Sequence, residues 1–236
     1  MIPKEVEVIL QSPVSTGFRC KLACDSLDID VNKKSIHKLK IENINIPDEW
    51  NVGVIYGASG SGKTTLAKKL FGEDCFHSVI KDSTPIIEQL PESFNYEDCA
   101  TALNEIGLTS VPCWVRPVNT LSNGQRARAE AVLLMCQESE MTAIDEWTSV
   151  VDRTVAKAMS HCIQKYAKRN KRKIILLTCH ADVIEWLKPD WLIDCNKQSF
   201  HLPESDRFFF ANVNNSDSTS KKSDEKHGDI LASIII

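Results

Sequence analysis

The chain has 236 residues, 42% hydrophobic and 25% charged, with 28 basic against 32 acidic side chains and a net charge of −4. That length holds one full domain with something added, in a chain able to bury a real core without metal or disulfide. These figures exclude a collagenous or wholly disordered chain and offer no global attraction to nucleic acid or anionic membrane, and no apolar run approaches the ~18 residues that span a bilayer.

The N-terminus carries acidic residues early and lacks the basic-then-apolar order of a leader peptide. Nine cysteines, an odd number with no C-x-x-C pair, read as reduced thiols in a cytoplasmic protein.

Residues 5–11 alternate in part and predict a strand; residues 18–31 mix apolar and acidic residues and predict another. Lys38 to Ile46 alternates with a one-residue slip, its apolar set being Leu39, Ile41, Ile44 and Ile46. After the turn at Pro47–Glu49, the apolar run Val52–Tyr56 has the character of a buried strand. A glycine-rich loop leads into helical spacing over Thr64–Phe71. Tyr96–Ile106 predicts a helix ended by Gly107, and Val111–Pro117 is punctuated by prolines. Ser122–Glu138 and Thr154–Lys168 predict amphipathic helices, Met141–Ile144 and Ile174–Thr178 strands. From Asn212 the composition turns polar, which predicts a disordered tail over 212–236 behind a domain over 1–211. The basic run Lys165–Lys173 holds six cations; it reads as a helix C-terminus and a solvated turn in preference to a contact for nucleic-acid phosphates.

Gly57-Ala58-Ser59-Gly60-Ser61-Gly62-Lys63-Thr64 fits G-x-x-x-x-G-K-[ST], between a strand and a helix that begins with Thr64 and Thr65. Glycines let the backbone curl so that N–H groups point at phosphate oxygens. The helix N-terminus adds its dipole. Lys63 is suited to the β- and γ-phosphates and the Thr64 hydroxyl to Mg²⁺. Further on, Leu121-Ser122-Asn123-Gly124-Gln125 opens a helix. Met141–Ile144 then ends in Asp145 and Glu146, the first placed for a metal and the second for taking a proton from water. His180, just past another strand, is placed to sense a γ-phosphate.

In this order the phosphate loop 57–64, signature 121–125, strand-end acids 145–146, D-loop 149–152 and His180 resemble the ABC ATPase family over about residues 38–200. Trp114-Val115-Arg116-Pro117, Asp145-Glu146-Trp147-Thr148-Ser149-Val150-Val151-Asp152-Arg153 and Thr178-Cys179-His180 look like the ATPase half of soluble bacterial and phage proteins that join such an ATPase to a GNAT-type acetyltransferase. The resemblance implies an α/β P-loop NTPase of the ABC type. Its parts are a β-rich N-terminal subdomain, a mainly parallel core sheet and a small helical subdomain at about 91–135. It implies ATP and Mg²⁺ as ligands and an ATP-dependent head-to-tail homodimer that hydrolyses ATP. Ser122, Asn123, Gly124 and Gln125 then meet the γ-phosphate from the other copy, and Asp152 carries contacts between the two sites. Gln89 is the match for the family's metal-linked Q-loop glutamine, and Phe18 and His37 are the candidates for stacking on adenine.

Asn123 departs from the family's glycine. The span from Lys63 to Ser122 is short for a transport ATPase, and Trp147 stands where many transporters have proline. An unidentified protein or nucleic acid is the expected partner, with a separately encoded acetyltransferase among the candidates. No acetyltransferase-sized segment follows the domain, so acetyl transfer is not expected of this chain. The competing expectations are the ATP-binding subunit of a membrane transporter and a nucleotide-gated module that does not hydrolyse.

Overall fold

The computed structural model describes residues 2–12, 17–26, 35–76, 80–137 and 139–203. The polar tail and residues 27–31 of the second expected strand lie outside them.

The central sheet has five strands in the order β4 (Met141–Ile144), β5 (Lys173–Thr178), β3 (Val52–Tyr56), β6 (Trp191–Asp194), β7 (Ser199–His201). The first four run parallel and β7 closes the edge antiparallel to β6. Parallel strands covered on both faces read as unbroken apolar runs, as β3 and β5 do. The period of two sorts them: Val52, Val54 and Tyr56 face one layer, while Ile55 faces the other. The first layer holds α3 (Tyr96–Glu105), α5 (Asn123–Cys136), α6 (Arg153–Arg169) and α7 (Asp182–Leu187). The second holds α2 (Lys63–Phe71) and the antiparallel hairpin of β1 (Val6–Ser12) and β2 (Ser35–Ile41). The short α4 (Val111–Trp114) sits between α3 and α5 in the chain.

Local chemistry explains most boundaries. Asn95 and Ser122 both close capping boxes, Asn95 with Asp98 and Ser122 with Gln125. Gly107, at φ 83°, ends α3 in the left-handed conformation that glycine adopts without penalty. Two expectations need correction. Residues 18–26 form a helix, α1 (Phe18–Ser26), not a strand. The segment has no β-branched residue, and Arg19, Lys21, Leu22 and Ala23 are helix formers. The strand expected over 38–46 ends at Ile41, because Asn43 turns the chain at φ 56° and Ile44 N–H then donates to Lys4 O at 2.9 Å. That turn is the source of the slip in the apolar alternation.

The basic run ends α6 and opens β5. Arg169 forks onto Glu105 at 2.9 and 3.0 Å, and the Lys173 ammonium lies 5.7 Å from the Trp50 ring centre. Burial pushes the thiols of Cys136 and Cys195 up to about 12, so both stay protonated and unreactive at neutral pH. Among the described residues no helix is long and apolar enough to cross a membrane.

Gly53 has a packing reason. It pairs with Trp191 across β3 and β6, and a Cβ there would lie 1.9 Å from the indole. Trp191 is fully buried between Trp50 and Phe71 and has no room to retreat. Gly53→Ala is expected to lower unfolding free energy by roughly 1–3 kcal/mol, the usual cost of overpacking a core. A urea titration checks this; an unchanged midpoint contradicts the packing described.

Candidate functional site: a phosphate-binding edge

In a parallel sheet the loops leaving the C-terminal strand ends share one edge, where ligands bind. Strands β4, β5 and β3 are adjacent, so Asp145–Glu146, Cys179–His180 and the phosphate loop 57–64 all emerge there. Backbone hydrogen bonds stitch the three together. Gly57 N–H donates to Thr178 O at 3.2 Å, and Trp147 N–H to Leu177 O at 2.8 Å. The Thr178 hydroxyl donates to Trp147 O at 3.2 Å and accepts His180 N–H at 3.1 Å.

The phosphate loop has the conformation its sequence requires. Gly60 and Gly62 sit at φ 76° and 90°. A Cβ on Gly57 would meet Ser61 Oγ at 2.6 Å, so only glycine leaves the loop its curl. Gly62 is the N-cap of α2 and makes no side-chain cap, which leaves the first N–H groups of that helix turned to the loop. Lys63 is buried, and its ammonium donates to Gly57 O and Ala58 O at 2.9 Å each. Thr64 and Thr65 follow on the first turn of α2, Thr65 exposed. Gly62 also rests against the hairpin, since a Cβ there would come 3.0 Å from Leu10 Cδ1.

Thr64 Oγ1 donates to Asp145 Oδ2 at 2.6 Å. A hydroxyl and a carboxylate oxygen held together, beside a loop shaped for phosphate, are the donor set of a hard dication such as Mg²⁺. Gln89 braces a neighbouring loop. Its amide accepts Lys81 N–H at 2.6 Å and donates to Lys81 O and Thr84 O at 2.9 and 2.8 Å, so it braces the loop 81–84. The same loop is held to α5 by Asp82, 2.6 Å from the Arg126 guanidinium.

Glu146 is exposed, on a turn held tightly at both sides. Glu146 and Thr148 have φ 53° and 66°, the latter unfavourable for a β-branched residue. Such a turn persists only where its surroundings over-determine it. Here Trp147 is locked by Leu177, by Thr178 and by its own indole N–H on Ser160 Oγ at 3.2 Å, and Glu146 N–H donates to Asp145 Oδ1 at 2.9 Å. An open cleft of about 400 Å³ runs alongside, lined by Phe76, Leu134, Glu146, Trp147 and Met159 among others.

Within one copy the signature segment is occupied with its own helix start. Ser122 Oγ accepts Gln125 N–H at 3.4 Å, Gln125 Oε1 accepts Ser122 N–H at 3.1 Å, and Arg116 donates to the same Oε1. Ser122 and Asn123 are exposed. Gly124 O accepts Arg128 Nε at 2.9 Å, and Arg128 also reaches Gly107 O at 2.8 Å, tying α3 to α5. A Cβ on Gly124 would lie 3.7 Å from Val151, so the D-loop lies beside the signature. Asp152 Oδ1 accepts Val155 N–H at 3.0 Å and caps α6.

Of the adenine-stacking candidates, Phe18 is 78% exposed on α1, and only the backbone of His37 is described, paired with Leu10 in the hairpin. One site residue escaped sequence reasoning. Asn196 Oδ1 accepts Ala58 N–H at 3.0 Å and steadies the start of the phosphate loop. The only trace of it in sequence is a turn-forming Asn just past an apolar run.

No family model matches the chain. Among curated proteins it is similar to the cytochrome c biogenesis ATP-binding export protein of Reclinomonas americana, 23% identical over 76% of this chain and 90% of that protein. It is also similar to an uncharacterised ABC transporter ATP-binding protein of Bacillus subtilis, 27% identical over 54% of this chain and 28% of that protein. The erythromycin resistance ATP-binding protein of Staphylococcus epidermidis is 28% identical over 57% of this chain and 30% of its own length. The chain thus spans under a third of the last two relatives. Among solved structures, a dimeric ATP-binding cassette in a post-hydrolysis state, bound to ADP and phosphate, superposes with TM-score 0.54. It is 13% identical and covers 83% of this chain and 98% of its own. A chain in a complex of an archaeal ribosomal stalk protein with a ribosome recycling factor reaches TM-score 0.54 at 20% identity, over 66% of this chain and 34% of its own. The chain therefore has the P-loop NTPase fold of the ABC-type ATP-binding cassettes.

Proposed function

We propose that the chain is an ABC-type ATPase that binds ATP with Mg²⁺, dimerises head-to-tail around it and hydrolyses it to drive a conformational cycle on a partner. The observation that carries this reading is the convergence of the phosphate loop, Asp145–Glu146 and His180 on the ends of three adjacent parallel strands.

Each residue has a task. The amides of Gly60 to Thr65 and the N-terminus of α2 hold the phosphates, and Lys63 exchanges its two carbonyl partners for phosphate oxygens. Thr64 and Asp145 would hold Mg²⁺, which would supply neutralisation of phosphate charge. Glu146 takes the proton of the attacking water, and His180 orients the γ-phosphate. Ser122 to Gln125 of the other copy present an exposed helix start to the same phosphate. ATP held by two copies stabilises the dimer by linkage, and losing the γ-phosphate contacts releases it.

The observation favouring transport is that the first relative above is an export protein's ATP-binding chain, matched over 90% of its length. In that reading the same site drives a permease. Light scattering on Glu146→Gln tests the homodimer that both readings share. The ATP-driven homodimer is expected to double its mass from 26.5 kDa only when ATP and Mg²⁺ are present. A monomer that holds ATP yet stays at 26.5 kDa overturns the homodimer.

A further inference from the structure

Two bridges join the turn after β4 to the segment after β5. The inner one is the Thr178 hydroxyl between Trp147 and His180. The outer one has no part in the reading above. Arg153, directly after Asp152, donates through Nε to Asp182 Oδ2 at 2.8 Å and through Nη2 to Asp182 Oδ1. Its guanidinium carbon lies 5.1 Å from the Trp186 ring centre, and its third nitrogen, Nη1, is buried with no hydrogen-bond partner.

A fork of this kind is planar and directional, and its face adds a cation–π contact. It fixes Arg153 against α7 in position and in rotation. What it joins is informative. Arg153 is the first residue of α6, whose cap is Asp152, and the D-loop before it lies beside the signature, with Val151 3.7 Å from where a Cβ on Gly124 would stand. Asp182 is the first residue of α7, two past His180. A rigid link therefore runs from the signature-facing loop to the backbone that carries His180. The fork could have been made with less commitment: a simple packing of α6 on α7 needs no guanidinium with a buried, unpaired N–H.

We infer that Arg153 is a positioning residue for ATP hydrolysis: its fork to Asp182 sets His180 relative to the D-loop, so that phosphate sensing and the D-loop move as one. The inference rests on the ATPase reading above. Arg153 touches no reacting atom; it acts through Asp182 and the backbone leading to His180.

The test is steady-state ATPase kinetics with nucleotide binding measured in parallel on the full chain. Arg153→Lys keeps the charge but cannot fork, and Asp182→Asn keeps the shape but loses the charge pair. Each is expected to lower kcat about ten- to a hundredfold, the range for small misplacement of catalytic groups, with ATP affinity within twofold of wild type. The double variant is expected to be no slower than the worse single one, because both remove the same link. The inference is overturned if the folded variants turn over at the wild-type rate with only a lowered Tm, which is the behaviour of a plain helix staple. It is overturned equally if KM rises while kcat holds. A wild-type chain without turnover ends the ATPase reading as well, whereas an active wild type with fully active variants ends this inference alone.

Discussion

Turnover by Glu146→Gln is expected to fall about 10²–10⁴-fold below wild type, the span lost when a general base is removed, while ATP affinity stays within a few-fold. Glutamine matches glutamate in size and accepts the left-handed backbone at φ 53° about as readily. The turn has no reason to rearrange, since its anchors are Trp147, Thr178 and Leu177 rather than the Glu146 carboxylate. A rate loss therefore reports chemistry and not collapse of the loop. Phosphate release from the pair of proteins, with equal binding of a fluorescent ATP analogue, is the measurement. Equal turnover would mean that Glu146 takes no proton and would favour a nucleotide-gated module that does not hydrolyse.

Lys63→Ala is expected to weaken ATP binding about ten- to a hundredfold. The ammonium is buried within reach of the loop and is not neutralised by a fork of its own; it is parked on Gly57 O and Ala58 O. Hydrogen bonds to charged groups contribute about 1.5–3 kcal/mol, and each 1.4 kcal/mol is a factor of ten in affinity. Lys63→Met separates the two roles of the side chain, because it keeps most of the buried volume. If Met and Ala bind equally poorly, the charge is what matters. Calorimetry reads both, and affinity unchanged in either variant would remove this loop from nucleotide binding.

Elements whose ends are set by local chemistry were legible in sequence. Ser122 and Gln125 announce α5 three residues apart, Gly107 announces the end of α3, and the β-branched runs at Val52 and Ile174 announce strands. The phosphate loop was legible for the same reason, since its chemistry and its backbone are written in eight consecutive residues. The strand expected over 18–31 misled because its apolar residues have no clear period, and its β-branched residues, Ile29 and Val31, stand past the helix formers of 18–26. The short α7, β6 and β7 passed unremarked, as each is too short for periodicity to speak. The bracing of the loop 81–84 by the Gln89 amide was not legible, since residue type alone does not name those backbone partners. Arg153 and Asn196 acquire meaning only from partners 29 and 138 residues away in the chain. No local pattern encodes such a partner.

The dependence on distant partners also bears on how the protein is made. Gly62 leans on Leu10, Ala58 on Asn196 and Gly57 on Thr178, so the phosphate loop borrows its shape from both ends of the described chain. Contacts of such long sequence separation close late, after the local helices have formed. During synthesis, the loop's own eight residues leave the ribosome well before Asn196 does, and a chain halted between them has the motif without its supports. The shape of the phosphate loop is thus complete only once Asn196 has joined the fold.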